Sequence, residues 1–343
     1  KIVELLYPVR TIDNVIMISP NFINEVFNAK VWWDAGSRIL AVTSGTRKSD
    51  GILRVVGDKL FMHGEPYYEI SFNKFDLFYQ LWASSVYDSS YPTEEYQAAA
   101  AEAALSQLKD CGFNSIRVFC SADIPDLMYD AVVMGKYFET MDQMFDLCDK
   151  YGIKAVVCLN LISDNFVVKE NVQGYGLVDK EESVLDLVAY PDSESRQLLK
   201  SYLTTFVNRY RSRGTVLMYE IVNEGNLQVD IGATVGAVKN SLDQLAEFYG
   251  FCRDTIHELD PERIVSGGDS VLRPSQWNLY EGVLDGRTEN DWTTDTETER
   301  LYALMMLNAG ADVISAHTYG LGTEGSEGRF MKDGDEIYYD FSF

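Results

Sequence analysis

Tyr219-Glu220-Ile221-Val222-Asn223-Glu224-Gly225-Asn226 is an apolar run that stops abruptly at an amide beside a carboxylic acid. Its β-branched centre predicts a buried strand, and the change to Asn, Glu and Gly predicts that the strand ends where the polar groups begin. Successive strand residues aim at opposite faces, so Asn223 and Glu224 reach one ligand only if the strand bulges or stops, and Gly225 offers the turn. Glu220 shares the parity of Glu224 and points inward with it. A charge there needs a partner, and Arg117 is the natural candidate.

Runs of the same kind recur at Tyr67 to Phe75, Ser115 to Phe119, Lys154 to Leu161, Thr215 to Val222, Arg263 to Gly267 and Asp312 to Tyr319. Helical patterns lie between them. Thr93 stands as an N-cap ahead of Glu94 and Glu95, and an Ala-rich helix follows to Asp110, before Gly112. A second helix is expected from Tyr137 to Tyr151, stopping at Gly152. Asp192 is expected to cap a third, which carries Leu198, Leu199, Tyr202 and Phe206 and ends near Gly214. Two more span Val238 to Leu259 and Thr296 to Asn308.

Strands alternating with helices predict parallel β/α units, in either a (β/α)8 barrel or an open doubly wound sheet. The first run, Ser71-Phe72-Asn73-Lys74-Phe75, leads into Leu81-Trp82 with no Gly-rich phosphate loop. Polar residues instead collect at strand ends: Arg117, Asn160, Asn223, Glu224, Asp269, His317 and Tyr319. Barrels place their chemistry there, so the α/β barrel is the expected fold.

The chain's 343 residues suffice for one barrel of about 250 residues and a small module. No apolar run approaches the roughly 20 residues of a membrane span, so no membrane insertion is expected. Acidic residues outnumber basic ones by 53 to 29, and a formal charge of -24 argues against nucleic acid and anionic membranes while leaving neutral glycans compatible. Cys111, Cys120, Cys148, Cys158 and Cys252 are scattered and odd in number, which predicts buried free thiols rather than disulfides or a metal site. No metal or cofactor is expected. The chain opens at Lys1 and ends at Phe343 in an aromatic stretch that reads as the start of a helix, so it is expected to be a piece cut at both ends.

A carboxylic acid beside an amide suits cleavage of a glycosidic bond, where an acid protonates the departing oxygen and neighbouring groups hold the sugar hydroxyls. His317 and Tyr319 are two apart and share a strand face suited to such hydrogen bonds. Asp269 fits an inverting base only if it stands roughly 6.5 to 9.5 Å from the acid. His63 and His257 read as structural, and Glu324 and Glu327 as solvated charges in the Gly320 to Gly328 loop. Trp82, Trp277 and Trp292 read as loop residues past strand ends, fit for packing or for stacking on sugars.

Three motifs in order resemble clan A glycosidases, in particular glycoside hydrolase family 5, the cellulase and β-mannanase family. Gly112-Phe113-Asn114-Ser115-Ile116-Arg117 is similar to the family's second strand, whose Arg bonds the nucleophile; Asn223-Glu224 to the close of the fourth; and His317-Thr318-Tyr319 to the His-x-Tyr of the sixth. The resemblance implies a retaining enzyme acting on a β-linked polysaccharide or oligosaccharide of the β-glucan or β-mannan class, secreted or at the cell surface. Glu224 is then the acid/base, and Arg117, Asn223, His317, Tyr319 and Asn160 bind substrate. Gly225 replaces the family's usual Pro, and Asn160 and Asn165 stand where a His often follows the third strand. The family's nucleophile closes a seventh strand, and none precedes Phe343, so the resemblance implies a (β/α)8 barrel cut after its sixth strand and inactive as a piece. The alternative is a non-catalytic carbohydrate-binding or cell-wall-associated protein on a degenerate barrel.

Val15-Ile16-Met17-Ile18, Phe22 to Phe27 and Ala29 to Asp34 resemble the module named for the copper amine oxidase N-terminus, a non-catalytic attachment. That stretch has no His, so no imidazole copper site is expected in it. The domains expected are 1–50 for this α+β module and 58–343 for the incomplete barrel.

Overall fold

The computed structural model describes residues 9–12, 14–19, 22–23, 30–34, 39–43, 51–86, 98–121, 124, 126–180, 182–227, 240–270, 272, 275–284, 291–317, 331–333 and 336–338. Two compact units divide the chain, one of residues 1–70 with 262–264 and one of residues 71–261 with 265–343. In the first, β1 (Arg10–Ile12) pairs antiparallel with β2 (Val15–Met17), and β3 (Lys30–Asp34) with β4 (Ile39–Thr43). A meander follows of β5 (Arg54–Val56), β6 (Lys59–Met62) and β7 (Glu65–Pro66). His63 sits exposed in its second turn at φ 56, next to Gly64 at φ 80, and so has a backbone role. Part of the stretch that resembles the attachment module, residues 24–29, lies outside the described residues.

The second unit opens with β8 (Phe72–Asn73), α1 (Leu77–Val86), α2 (Ala98–Asp110) and β9 (Ser115–Phe119). Next come α3 (Ala131–Tyr151), β10 (Lys154–Cys158), the hairpin β11 (Lys169–Val172) and β12 (Gly176–Asp179), α4 (Val184–Ala189), α5 (Glu194–Tyr210) and β13 (Val216–Glu220). They are followed by α6 (Leu242–His257), β14 (Val265–Ser266), β15 (Asp269–Ser270), α7 (Gln276–Leu284), α8 (Glu297–Asn308), β16 (Ala316–His317), β17 (Met331–Asp333) and β18 (Glu336–Tyr338). The parallel sheet runs β8-β9-β10-β13-β14, and the parallel β15–β16 pair and the Ser266–Val313 bridge bring the next strand in beside β14. Neighbours in space are thus neighbours along the chain. A doubly wound sheet reverses its order at a switch point; this α/β sheet does not.

Alternation within the strands separates two faces. Ile116, Val118, Ala155, Val157 and Tyr219 are buried in one core with Leu105 of α2, Phe145 of α3, Phe206 of α5 and Phe248 of α6. The opposite parity carries Arg117, Cys158 and Glu220, which meet one another across the sheet. Burying each large apolar side chain contributes about 2 kcal/mol, so the helix-facing parity holds the sheet and leaves the other parity for polar groups.

Several expected boundaries move. The first strand is only Phe72–Asn73, because Tyr68 and Ile70 are 79% and 84% exposed and nothing buries their alternation. Trp82 and Trp277 are not in loops: Trp82 is buried in α1, stacked on Phe78, and Trp277 packs on Tyr280 in α7. Trp292 is exposed. α3 begins at Ala131, ahead of Tyr137, because the Asp130 carboxylate accepts from the Val132 and Val133 N–H groups at 2.7 and 3.1 Å. Ser193, not Asp192, caps α5, its hydroxyl accepting from Arg196 N–H at 3.3 Å while Asp192 lies in the preceding turn. α6 starts at Leu242, where Ser241 and Gln244 cap each other's orphan groups. Thr296 caps α8 in the same way. All five cysteines are free; Cys111 alone is exposed, against the expectation of burial. Among the described residues no helix is long and apolar enough to cross a membrane. Thr93, Tyr319, Glu324, Glu327 and Phe343 lie outside the described residues.

Candidate active site

Arg117 organises the polar face. Its Nε donates to both Glu220 carboxylate oxygens at 3.0 and 3.2 Å, and Nη2 adds a further bond to Glu220 Oε1. Nη2 also donates to Asn223 Oδ1 at 2.8 Å, and Nη1 to Asn73 Oδ1 at 3.3 Å. One guanidinium therefore ties β8, β9, β13 and Asn223, three residues beyond β13, together. Burial opposes the Glu220 charge, yet the nearby His317 imidazole and the hydrogen-bonded Arg117 guanidinium outweigh it and hold the carboxyl below its usual range. Burial likewise works against the Arg117 charge, and Glu220 more than offsets it.

His317, at the end of β16, stands between two carboxylates. Its Nε2 is 3.7 Å from Glu220 Oε2 and its Nδ1 is 3.5 Å from Glu224 Oε1. Glu224 is 8% exposed and adopts φ 57, a left-handed conformation uncommon for a residue with a Cβ. The turn is made at Glu224 itself and not, as expected, at Gly225. Gly225 supplies room instead: a Cβ there would overlap the Tyr249 hydroxyl and come within 2.5 Å of Val222 Cγ1.

The backbone beyond β13 is held by the segment after β14. Ile221, Val222 and Glu224 N–H groups donate to the carbonyls of Ser266, Gly267 and Gly268 at 2.9, 3.2 and 2.6 Å. Gly268, at φ 85, permits this approach; a Cβ would overlap the Val222 carbonyl and lie 2.6 Å from Glu220 Cγ. Asp269, expected to end a strand but found to open β15, is 2% exposed and accepts from the Tyr249 hydroxyl at 2.8 Å. Burial raises its pKa to about 7. A carboxyl sealed in this way does not activate a water for a sugar.

Arg117, Asn223, Glu224 and His317 are thus brought together. Asn160 stands at the end of β10 in a left-handed kink, φ 49, between Leu159 and Leu161, which donate to the Glu220 and Ile221 carbonyls. His257 is structural, its Nε2 lying 3.1 Å from the Asp312 carboxylate. Sequence reasoning missed Asn73 and Tyr249. Tyr249 occupies a helix position that reads as core, and its hydroxyl partner lies far along the chain. Among the described residues no group of three or more His, Cys, Asp and Glu is placed to hold a metal ion.

The sequence description of the cellulase family, glycosyl hydrolase family 5, matches residues 82–340, so the chain belongs to that family. A comparison with curated proteins found no match. Among solved structures, the endo-1,4-β-mannanase from Rhizomucor miehei is 17% identical at TM-score 0.45, over 65% of this chain and 62% of that one. The family 5 mannosidase from the same fungus is 17% identical at TM-score 0.46, over 68% and 59%. The β-mannanase of the blue mussel Mytilus edulis is 15% identical at 0.44, over 72% and 77%. The chain spans 62% and 59% of the length of the two Rhizomucor proteins.

Proposed function

We propose that this chain carries the acid/base machinery of a retaining β-glycosidase, with Glu224 protonating the glycosidic oxygen and then activating water for the second step. The observation that carries the reading is the placement of Glu224: a buried carboxyl just past β13, turned by a left-handed backbone toward His317 and bordered by the Arg117 cluster. Asn223 commits its side-chain oxygen to Arg117, which leaves its N–H2 group as a donor to a sugar hydroxyl. His317 contacts both carboxylates and is suited to orienting Glu224 against the departing oxygen. Asn160 and Tyr319 complete the substrate-binding set in this reading.

A retaining reaction needs a second carboxylate about 5 to 5.5 Å from the first. Glu220 turns both oxygens to Arg117 and Asp269 is sealed from solvent, so neither suits attack on an anomeric carbon. We therefore assign the nucleophile to a carboxylate outside the described residues. The sequential parallel strands support completion as a (β/α)8 barrel, and the substrate we infer is a neutral β-linked polysaccharide of the glucan or mannan class. Residues 1–50 are read as a non-catalytic attachment, and the protein as secreted or wall-associated.

A panel of β-mannan, β-glucan and nitrophenyl β-glycosides, assayed with the wild-type protein and Glu224→Gln, tests the reading. Turnover of one polymer class, lost in the variant, supports it. Binding of a polymer without turnover by the wild type would favour a carbohydrate-binding protein instead.

A further inference from the structure

We propose that Asp269 is a positioning residue that fixes the turn bearing Glu224, acting through the Tyr249 hydroxyl and the Asn226 backbone. The turn is clamped from above by two backbone bonds, Glu224 N–H to Gly268 O at 2.6 Å and Leu227 N–H to Glu224 O at 3.1 Å. Beneath it lies Tyr249 of α6, fully buried, with its hydroxyl directly under Gly225 and donating to Asp269 Oδ1 at 2.8 Å. Asn226 is itself fully buried, and its backbone favours the Asp269 carboxylate. Two consecutive residues of the turn are therefore held: Glu224 by the Gly268 carbonyl, and Gly225 over the Tyr249 hydroxyl that Asp269 anchors.

The Asp269–Tyr249 support is costly, which argues that it is kept for a purpose. Asp269 Oδ2 is buried without a hydrogen-bond partner, and a carboxyl oxygen in that state forfeits hydration with no return. The space around it admits no side chain on Gly267, whose Cβ would lie 2.8 Å from Oδ2 and 2.8 Å from Tyr249 Cε2. Burial favours the neutral acid, and the charge of Glu220 on β13 adds to that preference; the Tyr249 hydroxyl and the Asn226 backbone favour the carboxylate. An apolar residue at 269 would fill such a core at less cost but would leave the Tyr249 hydroxyl without its acceptor. A left-handed Glu224 is strained and persists only when its surroundings over-determine it. The Asp269–Tyr249 pair is a buried side-chain part of those surroundings, and its hydroxyl lies against Gly225.

Positioning is separable from the catalytic role, which rests on the reading of Glu224 given above. Site-resolved amide hydrogen exchange tests the positioning without any substrate. In Asp269→Ala the amides of Glu224, Asn226 and Leu227 are expected to exchange about tenfold faster or more, while those of Val157 and Tyr219 in the sheet keep their protection. Asp269→Asn, which keeps one acceptor oxygen, is expected to restore most of it. Tyr249→Phe removes only the hydroxyl and gives the same readout if Asp269→Ala does not fold. Unchanged turn amides in these variants, or the same acceleration at every amide, would overturn the proposal, since the second pattern reports loss of general stability. On a β-glycoside the Ala variant is expected to lose kcat about tenfold with KM little changed, because a misplaced acid fails only in the transition state. A wild type that turns over no glycoside bears on Glu224 alone and leaves the exchange result standing.

Discussion

Arg117 and Glu220 stabilise the site only as a pair. With Glu220 almost fully buried, removing the guanidinium strands a carboxylate in the sheet, and breaking such a pair costs about 3 to 5 kcal/mol. Arg117→Met is therefore expected to lower the urea midpoint sharply, and adding Glu220→Gln to recover a large part of the loss. Asp269 makes a prediction of opposite character. Its folded-state pKa, about 7, lies above the unfolded value of about 3.9, so the native protein takes up a proton between them. That contribution is complete below about pH 4 and is lost as pH rises through 7, up to about 4 kcal/mol in all. Glu220 has a lowered value, so its own contribution disappears only in acid, outside this window. Urea unfolding at pH 5 and pH 8 should show the wild type weakening with pH, and Asp269→Asn should flatten the trend. Glu224, Asn223 and His317 were legible because each stands where an apolar run ends, whereas Arg117, expected at a strand end, lies in the middle of β9 as a lone cation among apolar neighbours. Tyr249 was not: its neighbours Leu245, Phe248 and Cys252 form a helix face, and only the fold brings its hydroxyl to Asp269.

Two glycines separate the elements that tolerate change from those that do not. Gly268, with φ 85 and no room for a Cβ, joins β14 to the end of β13. Gly268→Ala is expected to cost about 3 kcal/mol or more and to disturb Glu220 and the Glu224 amide together. Gly135 lies exposed in α3 with nothing within 4 Å of a built Cβ. Gly135→Ala is expected to raise stability by about 0.5 to 1 kcal/mol, read from the same melting curves. The core strands and most helices were legible from periodicity, since Ser115–Phe119 and Thr296 with its helix need only local rules. The first strand was overextended because Tyr68 and Ile70 alternate like a half-buried strand but bury nothing. The β11–β12 hairpin, Lys169–Val172 with Gly176–Asp179, was invisible because its residues are largely polar and its turn is set by Gly174 and Gly176 at φ 88 and 77.

Across the whole molecule, strand-helix alternation was enough to forecast parallel units, and the sequential neighbour order is consistent with the barrel expected from the strand-end residues. On the proposed glycan-binding reading, the formal charge of -24 predicts an electrostatic preference for neutral over anionic polymers. Raising salt from about 0.01 to 0.2 M shortens the Debye length from roughly 30 to 7 Å, so the KM for a carboxymethylated glucan should fall several-fold while that for the neutral polymer stays nearly constant. The proposed role of Glu224, supplying the proton to the leaving group, is tested most directly by the leaving-group dependence of Glu224→Ala. A dinitrophenyl β-glycoside, which departs without protonation, should be cleaved in its first step within about tenfold of the wild-type rate, while polysaccharide turnover falls about a thousandfold. Equal losses on both substrates, or no loss on the polysaccharide, would contradict the assignment.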